Sequence, residues 1–376
     1  MIYYSLNRSP ASSPDEWEVI ELKGFERKRG VAWVGILIAI GLILIGVAVA
    51  IGPAGIDFGF DFGWSLDGQR FDRSYQESLN DAIKSIDIYT LNGEVEVVGW
   101  EESFISLEVK QTVKVSSENL KEKYFEETKP VVTILDGLLR IVTPRLQQTG
   151  EFRGQGASIY LRVPIELLEE VVARTSNGRL KAASLNSYVN VESSNGGIEI
   201  YSINGRVVAE TSNGPINARD IVGPMEFQSS NGPFTGARLN GDLRVTTSNA
   251  SINVETSSSN ISALTSNGSI NITDCILQGT KNSFRTSNGK VTVNSTLSSQ
   301  GTLELASSNG QILLFVPEDI RAYIDASTSN GRVDITGLSI TVSSMSKTSV
   351  RGNLNNGSDL DITLRTSNAD IVIKKK

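Results

Sequence analysis

The sequence predicts an all-β solenoid of stacked coils, each 18 to 21 residues long, and three observations predict it. A Thr/Ser-Ser-Asn-Gly motif recurs with its asparagine at Asn177, Asn195, Asn213, Asn231, Asn249 and Asn267 in steps of 18, at Asn288, Asn309 and Asn330 in steps of 21, and once more at Asn368. The residue before the asparagine (position −1) is serine in all ten copies, position −2 is threonine or serine, and position +1 is glycine except at Ala250 and Ala369. Apolar residues alternate on both flanks, as in Val189/Val191 before one turn and Ile198/Ile200 after it, which is the period-2 signature of strands with one buried face.

Each copy therefore reads strand, tight turn, strand. A meander of antiparallel hairpins is the competing arrangement. The constant period favours a solenoid, because residues 18 apart then lie about 4.8 Å apart in ladders of amides and hydroxyls. Asn-Gly suits a turn that needs positive φ. A second turn follows nine residues later, at Asn186, Asn204-Gly205 and Asn240-Gly241. One coil offers about four inward side chains at roughly 1.5–3 kcal/mol each, against about 1–2 kcal/mol of backbone entropy per residue. A lone coil cannot fold, so its stability must come from its neighbours.

Ahead of the array, residues 1–30 are polar, end in Lys23, Arg27, Lys28 and Arg29, and read as a cytoplasmic tail. Residues 31–51 carry no charge and suffice for one transmembrane helix; a cleavable signal peptide is the alternative, which the long preceding segment disfavours. The basic residues before the span and Asp57, Asp61 and Asp67 after it place the repeats outside by the positive-inside rule. Residues 52–80, with Phe58, Phe60, Phe62 and Trp64, read as a glycine and aromatic juxtamembrane linker. An α+β cap is expected over 81–172: Asn92-Gly93 anticipates the motif, Ser117 caps a helix over 118–127 that Pro130 ends, and 131–142 forms a hairpin turning at Asp136-Gly137. The solenoid proper is expected over 173–376. Val163-Pro164 precedes Asn177 by the same interval that separates Val316-Pro317 from Asn330. Thr348-Ser349-Val350 reads as a decayed motif, and Lys374, Lys375 and Lys376 as the protection of an exposed last strand.

A valine-proline strand followed by tandem Thr-Ser-Asn-Gly-x-apolar-x-apolar units, after a single span and the unit Asn92-Gly93-Glu94-Val95-Glu96-Val97, resembles the "putative adhesin" β-solenoid family of membrane-anchored bacterial and archaeal proteins over roughly residues 81–376. The resemblance implies a right-handed, β-helix-like stack and surface interaction, and brings no catalytic residues.

Composition narrows the chemistry. A net charge of −7 and a pI near 5.0 argue against nucleic acid. There is no histidine, which removes the commonest general base and metal ligand. Cys275, the single cysteine, cannot form an internal disulfide and reads as a small buried hydrophobe. Asp220, Glu226, Asp242, Glu255 and Asp274 share no register, so the facing carboxylates of a glycan-cleaving enzyme are not evident. No catalytic residue, cofactor or metal is expected, and the turns lack the carboxylates that calcium requires. The sequons at Asn260, Asn267, Asn271, Asn294 and Asn356 fit an exterior domain but are expected in so Ser/Asn-rich a chain. The asparagine column is first the structural closure of each coil and second a polar strip for a cell-surface glycan or protein ligand; an ordered-water face is a third use. The function expected is a membrane-anchored, non-catalytic, extracytoplasmic adhesin or surface-interaction module. An envelope-stress or signalling accessory is the alternative, and a cytoplasmic polymerising scaffold is a third.

Overall fold

The computed structural model describes residues 18–20, 23–26, 68–147, 150–166, 168–357 and 359–376. The expected span over 31–51 lies outside them; among the described residues no helix is long and apolar enough to cross a membrane. The described residues form a two-row β-solenoid with one helix among them, Glu118–Glu127.

In the array each coil contributes one strand to each row. Tyr188–Ser193, Val207–Thr211 and Met225–Ser229 stack in parallel in the first row, with Val189 opposite Val207 and Val207 opposite Met225. Ile198–Asn204 and Ile216–Val222 stack likewise in the second, with Ile198 opposite Ile216. The apolar alternation of the sequence thus becomes columns of Val, Ile, Leu and Phe facing one another between the rows, from Ile86 to Ile373.

The bend in the second strand uses a column of left-handed residues: Ser184, Ser202, Asp220, Arg238, Thr256 and Asp274, with φ between 49° and 58°. It turns the chain so that Leu185, Ile203, Ile221 and Leu239 still point inward, each at most 1% exposed. The positive φ expected at Asn-Gly of the motif is therefore found at this corner instead.

The N-terminal cap follows the sequence reading closely. Ser117 Oγ accepts from the Leu120 N–H to start the helix, and Val131–Leu135 pairs with Leu138–Val142 around Asp136-Gly137. Gln69–Leu79, expected within the linker, instead forms a strand along all of Ile105–Val115, because Tyr75 and Leu79 alternate into the core. Tyr124, Phe125 and Phe152 form a second small core with Val113 and Val115 under the helix. Glu18–Ile20 pairs with residues 132–134, and Lys23–Glu26 with residues 73–76.

Both ends depart from simple sequential stacking. The first coil is not outermost: Ser85–Tyr89 lies between Leu138–Val142 and Glu170–Thr175, and Val95–Trp100 between Arg153–Pro164 and Leu180–Leu185. The last coil is also internal. Leu360–Thr366 lies between Gly301–Ala306 and Ala322–Thr328, and Ile371–Lys375 between Ile312–Val316 and Val333–Thr336. Two sequence expectations are corrected by this. Thr348-Ser349-Val350 is no decayed turn; it belongs to an antiparallel hairpin of Ile340–Met345 and Ser349–Leu354 that covers the end. The terminal lysines do not guard an edge, since their strand is paired on both sides and Lys375 bonds Glu318. Val163-Pro164 and Val316-Pro317 mark the two places where the chain steps over an inserted coil.

Charge fastens each inserted coil. Asp87 lies 3.5 Å from Arg140 and 3.1 Å from Arg174. Asp325 is held by Arg365 of the last coil at 2.5 Å and by Arg351 of the hairpin at 3.1 Å. Hydrogen bonding from Arg365, with Arg351 behind it, holds the Asp325 carboxyl below its usual range. A depressed carboxylate contributes stability above its unfolded value, about 3.9, and loses it as pH falls through its folded value. Acidification below about pH 4 is therefore expected to loosen residues 322–376. Asp325→Asn should weaken this region at pH 6 and flatten that dependence, as read by hydrogen exchange across the pH range.

Thr256 is exposed, β-branched and at φ 49°. Because a left-handed conformation costs roughly 1–2 kcal/mol for such a residue and less for asparagine, Thr256→Asn is expected to raise stability by about 1 kcal/mol. Denaturant midpoints for the two chains check it.

Candidate functional site

The ten motif asparagines lie on one line, and an eleventh, Asn92, starts it. In the order 92, 177, 195, 213, 231, 249, 267, 288, 309, 368, 330, each Nδ2 after the first donates to the Oδ1 of the asparagine before it, at 2.5–2.8 Å. Asn92 in turn donates to the Gln155 carbonyl, which ties the ladder to the cap. All ten amide bonds point the same way along the axis, so each polarises the next.

Position −2 works beneath the ladder. Its hydroxyl accepts from the N–H of its own +1 glycine and donates to the +1 carbonyl of the coil before, as Thr211 does with Gly214 at 3.2 Å and Gly196 at 3.2 Å. Thr286 repeats it with Gly289 at 3.1 Å and Gly268 at 3.0 Å. All eight glycine copies make the first of these bonds. Neither alanine copy does so among the described residues, and Ala250 is less buried than Gly232 and Gly268, which flank it in the stack. The glycine is required by proximity: a Cβ at Gly232 would stand 1.7 Å from the Gly214 carbonyl oxygen, and one at Gly268 1.8 Å from that of Ala250.

Position −1 is free of this duty, and its serines face solvent through most of the column. Over six coils, Ser248, Ser266, Ser287, Ser308, Ser367 and Ser329 form one wall of an open trough of about 580 Å³. Position −3 forms the other wall. Earlier coils carry Arg174, Glu192, Glu210 and Gln228 there; in the trough it is Thr246, Leu264, Arg285, Ala306, Arg365 and Ser327. The two arginines are drawn aside by carboxylates, Arg285 by Glu304 at 2.5 Å and Arg365 by Asp325 at 2.5 Å. The result is a hydroxyl-lined channel along the axis, roughly 24 Å long at the β spacing. The motif alone did not reveal it, although the short −3 residues Thr246, Ala306 and Ser327 after Gln228 were its signal in the sequence.

Two of the other candidate carboxylates, Asp220 and Glu226, are ion-paired. Asp220 takes two bonds from Arg238, at 2.5 and 2.8 Å, which hold its carboxyl low. Glu226 lies 3.7 Å from Arg244 and 4.0 Å from Arg206. Cys275 is 1% exposed, its thiol donates to the Thr273 carbonyl, and burial pushes its pKa up, as a packing residue requires. Among the described residues no group of three or more His, Cys, Asp or Glu could hold a metal ion.

The ladder makes a graded prediction. Asn231→Ala removes two amide bonds and Asn330→Ala one, so at about 1 kcal/mol each the internal change is expected to cost about twice the terminal one. Paired denaturant titrations measure the ratio.

No curated protein matches the chain. Among solved structures, a "putative cell adhesion protein" from Clostridium sporogenes aligns at 13% identity over 81% of this chain and 100% of its own, with a TM-score of 0.25. A "putative lipid binding protein" from Parabacteroides distasonis aligns at 13% identity over 81% of this chain and 96% of its own, with a TM-score of 0.31. Residues 83–374, which hold the ladder, both inserted coils and most of the cap, match the Toastrack DUF4097 family, and the chain belongs to that family.

Proposed function

We propose that the chain is a non-catalytic surface-interaction module whose rigid solenoid presents the trough between positions −3 and −1 to an extended ligand outside the cell. The trough carries the reading. It combines hydroxyl donors and acceptors at a fixed repeat with walls whose charges are internally paired. Such a surface favours a neutral, hydrogen-bonding polymer such as a glycan over a charged one. The pairing of Glu304 and Asp325, the carboxylates beside the trough, with Arg285 and Arg365 supports a non-catalytic role.

Anchorage by residues 31–51 belongs to the same proposal. An anchored topology puts residues 18–26 and the solenoid on opposite faces of the membrane, and there the pairings of 18–20 and 23–26 with the cap cannot persist. Epitope tags before Met1 and after Lys376, probed on intact and permeabilised cells of the source organism, decide between these arrangements. The anchored reading expects only the C-terminal tag to label on intact cells; labelling of both tags on one side removes it.

The contact surface is tested separately. Ala306→Arg places a long cation at position −3 in mid-trough without entering the core. It is expected to reduce retention of the full chain on cell-surface polysaccharide by about tenfold, or about 1.4 kcal/mol, with an unchanged circular dichroism spectrum. Undiminished retention would move the contact elsewhere.

A further inference from the structure

The coil 322–336 has no strand pairing with the coil that precedes it in sequence; it meets the array through the last coil. Ala322–Thr328 pairs with Leu360–Thr366, and Val333–Thr336 with Ile371–Lys375. Its remaining strand partner is the hairpin strand Ser349–Leu354. Between the coils 301–316 and 322–336 there is thus a slot one coil thick, filled by the chain's own end. Ile362, Leu364, Ile371 and Ile373 enter it with at most 1% exposure. Asn368 bridges the ladder, donating to Asn309 at 2.6 Å and accepting from Asn330 at 2.7 Å. Thr366 donates to the Gly310 carbonyl at 3.1 Å, and Asp370 accepts from the Arg332 N–H at 2.9 Å.

Closing the slot without its occupant is opposed by charge. Thr363 stands opposite both Glu304 and Asp325. Direct stacking of the two coils in the present register sets these carboxylates against each other at about the 4.8 Å strand spacing, an unfavourable like-charge pair. The same closure strips Asp325 of Arg365. The connector 317–321 is also long enough to step over the inserted coil, and closure leaves it slack.

We propose that residues 360–376 are a wedge: the slot is a binding site for this segment, and residues 322–336 are seated on the array only when the slot is filled. The ligand class is a two-strand peptide with alternating apolar residues, an asparagine at its turn, and cations at the positions of Arg365 and Lys375.

The test uses the full chain with a protease recognition sequence inserted after Lys347, in the exposed hairpin turn, and cut after folding. The fragment from Thr348 to Lys376 is expected to co-elute with the body. Once it has been removed in mild denaturant and the body returned to buffer, amides of residues 322–336 should exchange at least about tenfold faster while residues 170–306 keep their protection. Synthetic peptide 348–376 should restore them, and the same peptide carrying Ile362→Asp should not. Persistent protection of 322–336 without the fragment overturns the proposal, because the coils then stack directly. Failure of the unmodified peptide to restore protection overturns it equally.

Discussion

The constraint on which the structure depends is the approach of successive turns. At the +1 position each turn lies so close to the one before that a Cβ at Gly196 would fall 1.7 Å from the Gly178 carbonyl oxygen. Four features follow from that one distance. The +1 residue must be glycine, or the turn must open as at Ala250. The −2 hydroxyl is then near enough to bond its own glycine and the turn below it. The asparagine amides reach each other end to end. The backbone at position −1 also engages: the Ser176 carbonyl accepts from the Asn195 N–H at 2.8 Å and the Ser212 carbonyl from the Asn231 N–H at 2.8 Å. A buried carbonyl without a donor would cost about 1–3 kcal/mol, so these bonds keep the turn column from being a liability.

Because −2, 0 and +1 carry the stacking, position −3 is free to vary without loss of fold. The chain uses that freedom unevenly. Before the Asn249 coil, position −3 holds long polar side chains; from Thr246 onward it holds short ones or arginines tied to Glu304 and Asp325. The trough accordingly opens over the C-terminal coils. Functional specialisation in such an array is a matter of which outward positions are emptied, and it leaves the repeat itself intact.

This separation explains what the sequence disclosed. Period and alternation specify which residues share a column, because only one register buries Val189, Val207 and Met225 together and stacks Asn195 on Asn177. Ser117, Asp136 and Gly137 announced the helix and the hairpin through local chemistry that needs no tertiary context. The order of coils along the axis was not legible in the same way. Every copy offers the same amide, hydroxyl and apolar pair to either neighbour, so Asn368 satisfies the ladder equally well beyond Asn330 or between Asn309 and Asn330. The deciding features are non-repeating: two Val-Pro connectors that step over a coil, the hairpin 340–354, and carboxylates that reject one stacking order. The glycine was read as a residue for positive φ, whereas the structure requires it for close approach, and the two leave the same mark in a sequence.

Placing both terminal coils inside the stack also settles a problem that linear repeats share. An outermost coil has one neighbour, buries one of its two stacking faces, and exposes a row of unpaired backbone groups. Were either of these coils outermost, its open row would invite pairing with another molecule. Here each of these coils has neighbours on both sides; beyond the first lie the hairpin 131–142 and, paired to its outer strand, Glu18–Ile20, and beyond the last lies the hairpin 340–354. A hairpin resists fraying better than a lone strand because its closing turn keeps the effective concentration of its partner high. The short last strand of the second row, Val333–Thr336, is held from the hairpin turn as well, through its Val333 N–H to the Lys347 carbonyl at 3.0 Å. The identical repeats thus make a uniform interior, and the departures from repetition are concentrated where a uniform array has no partner to offer.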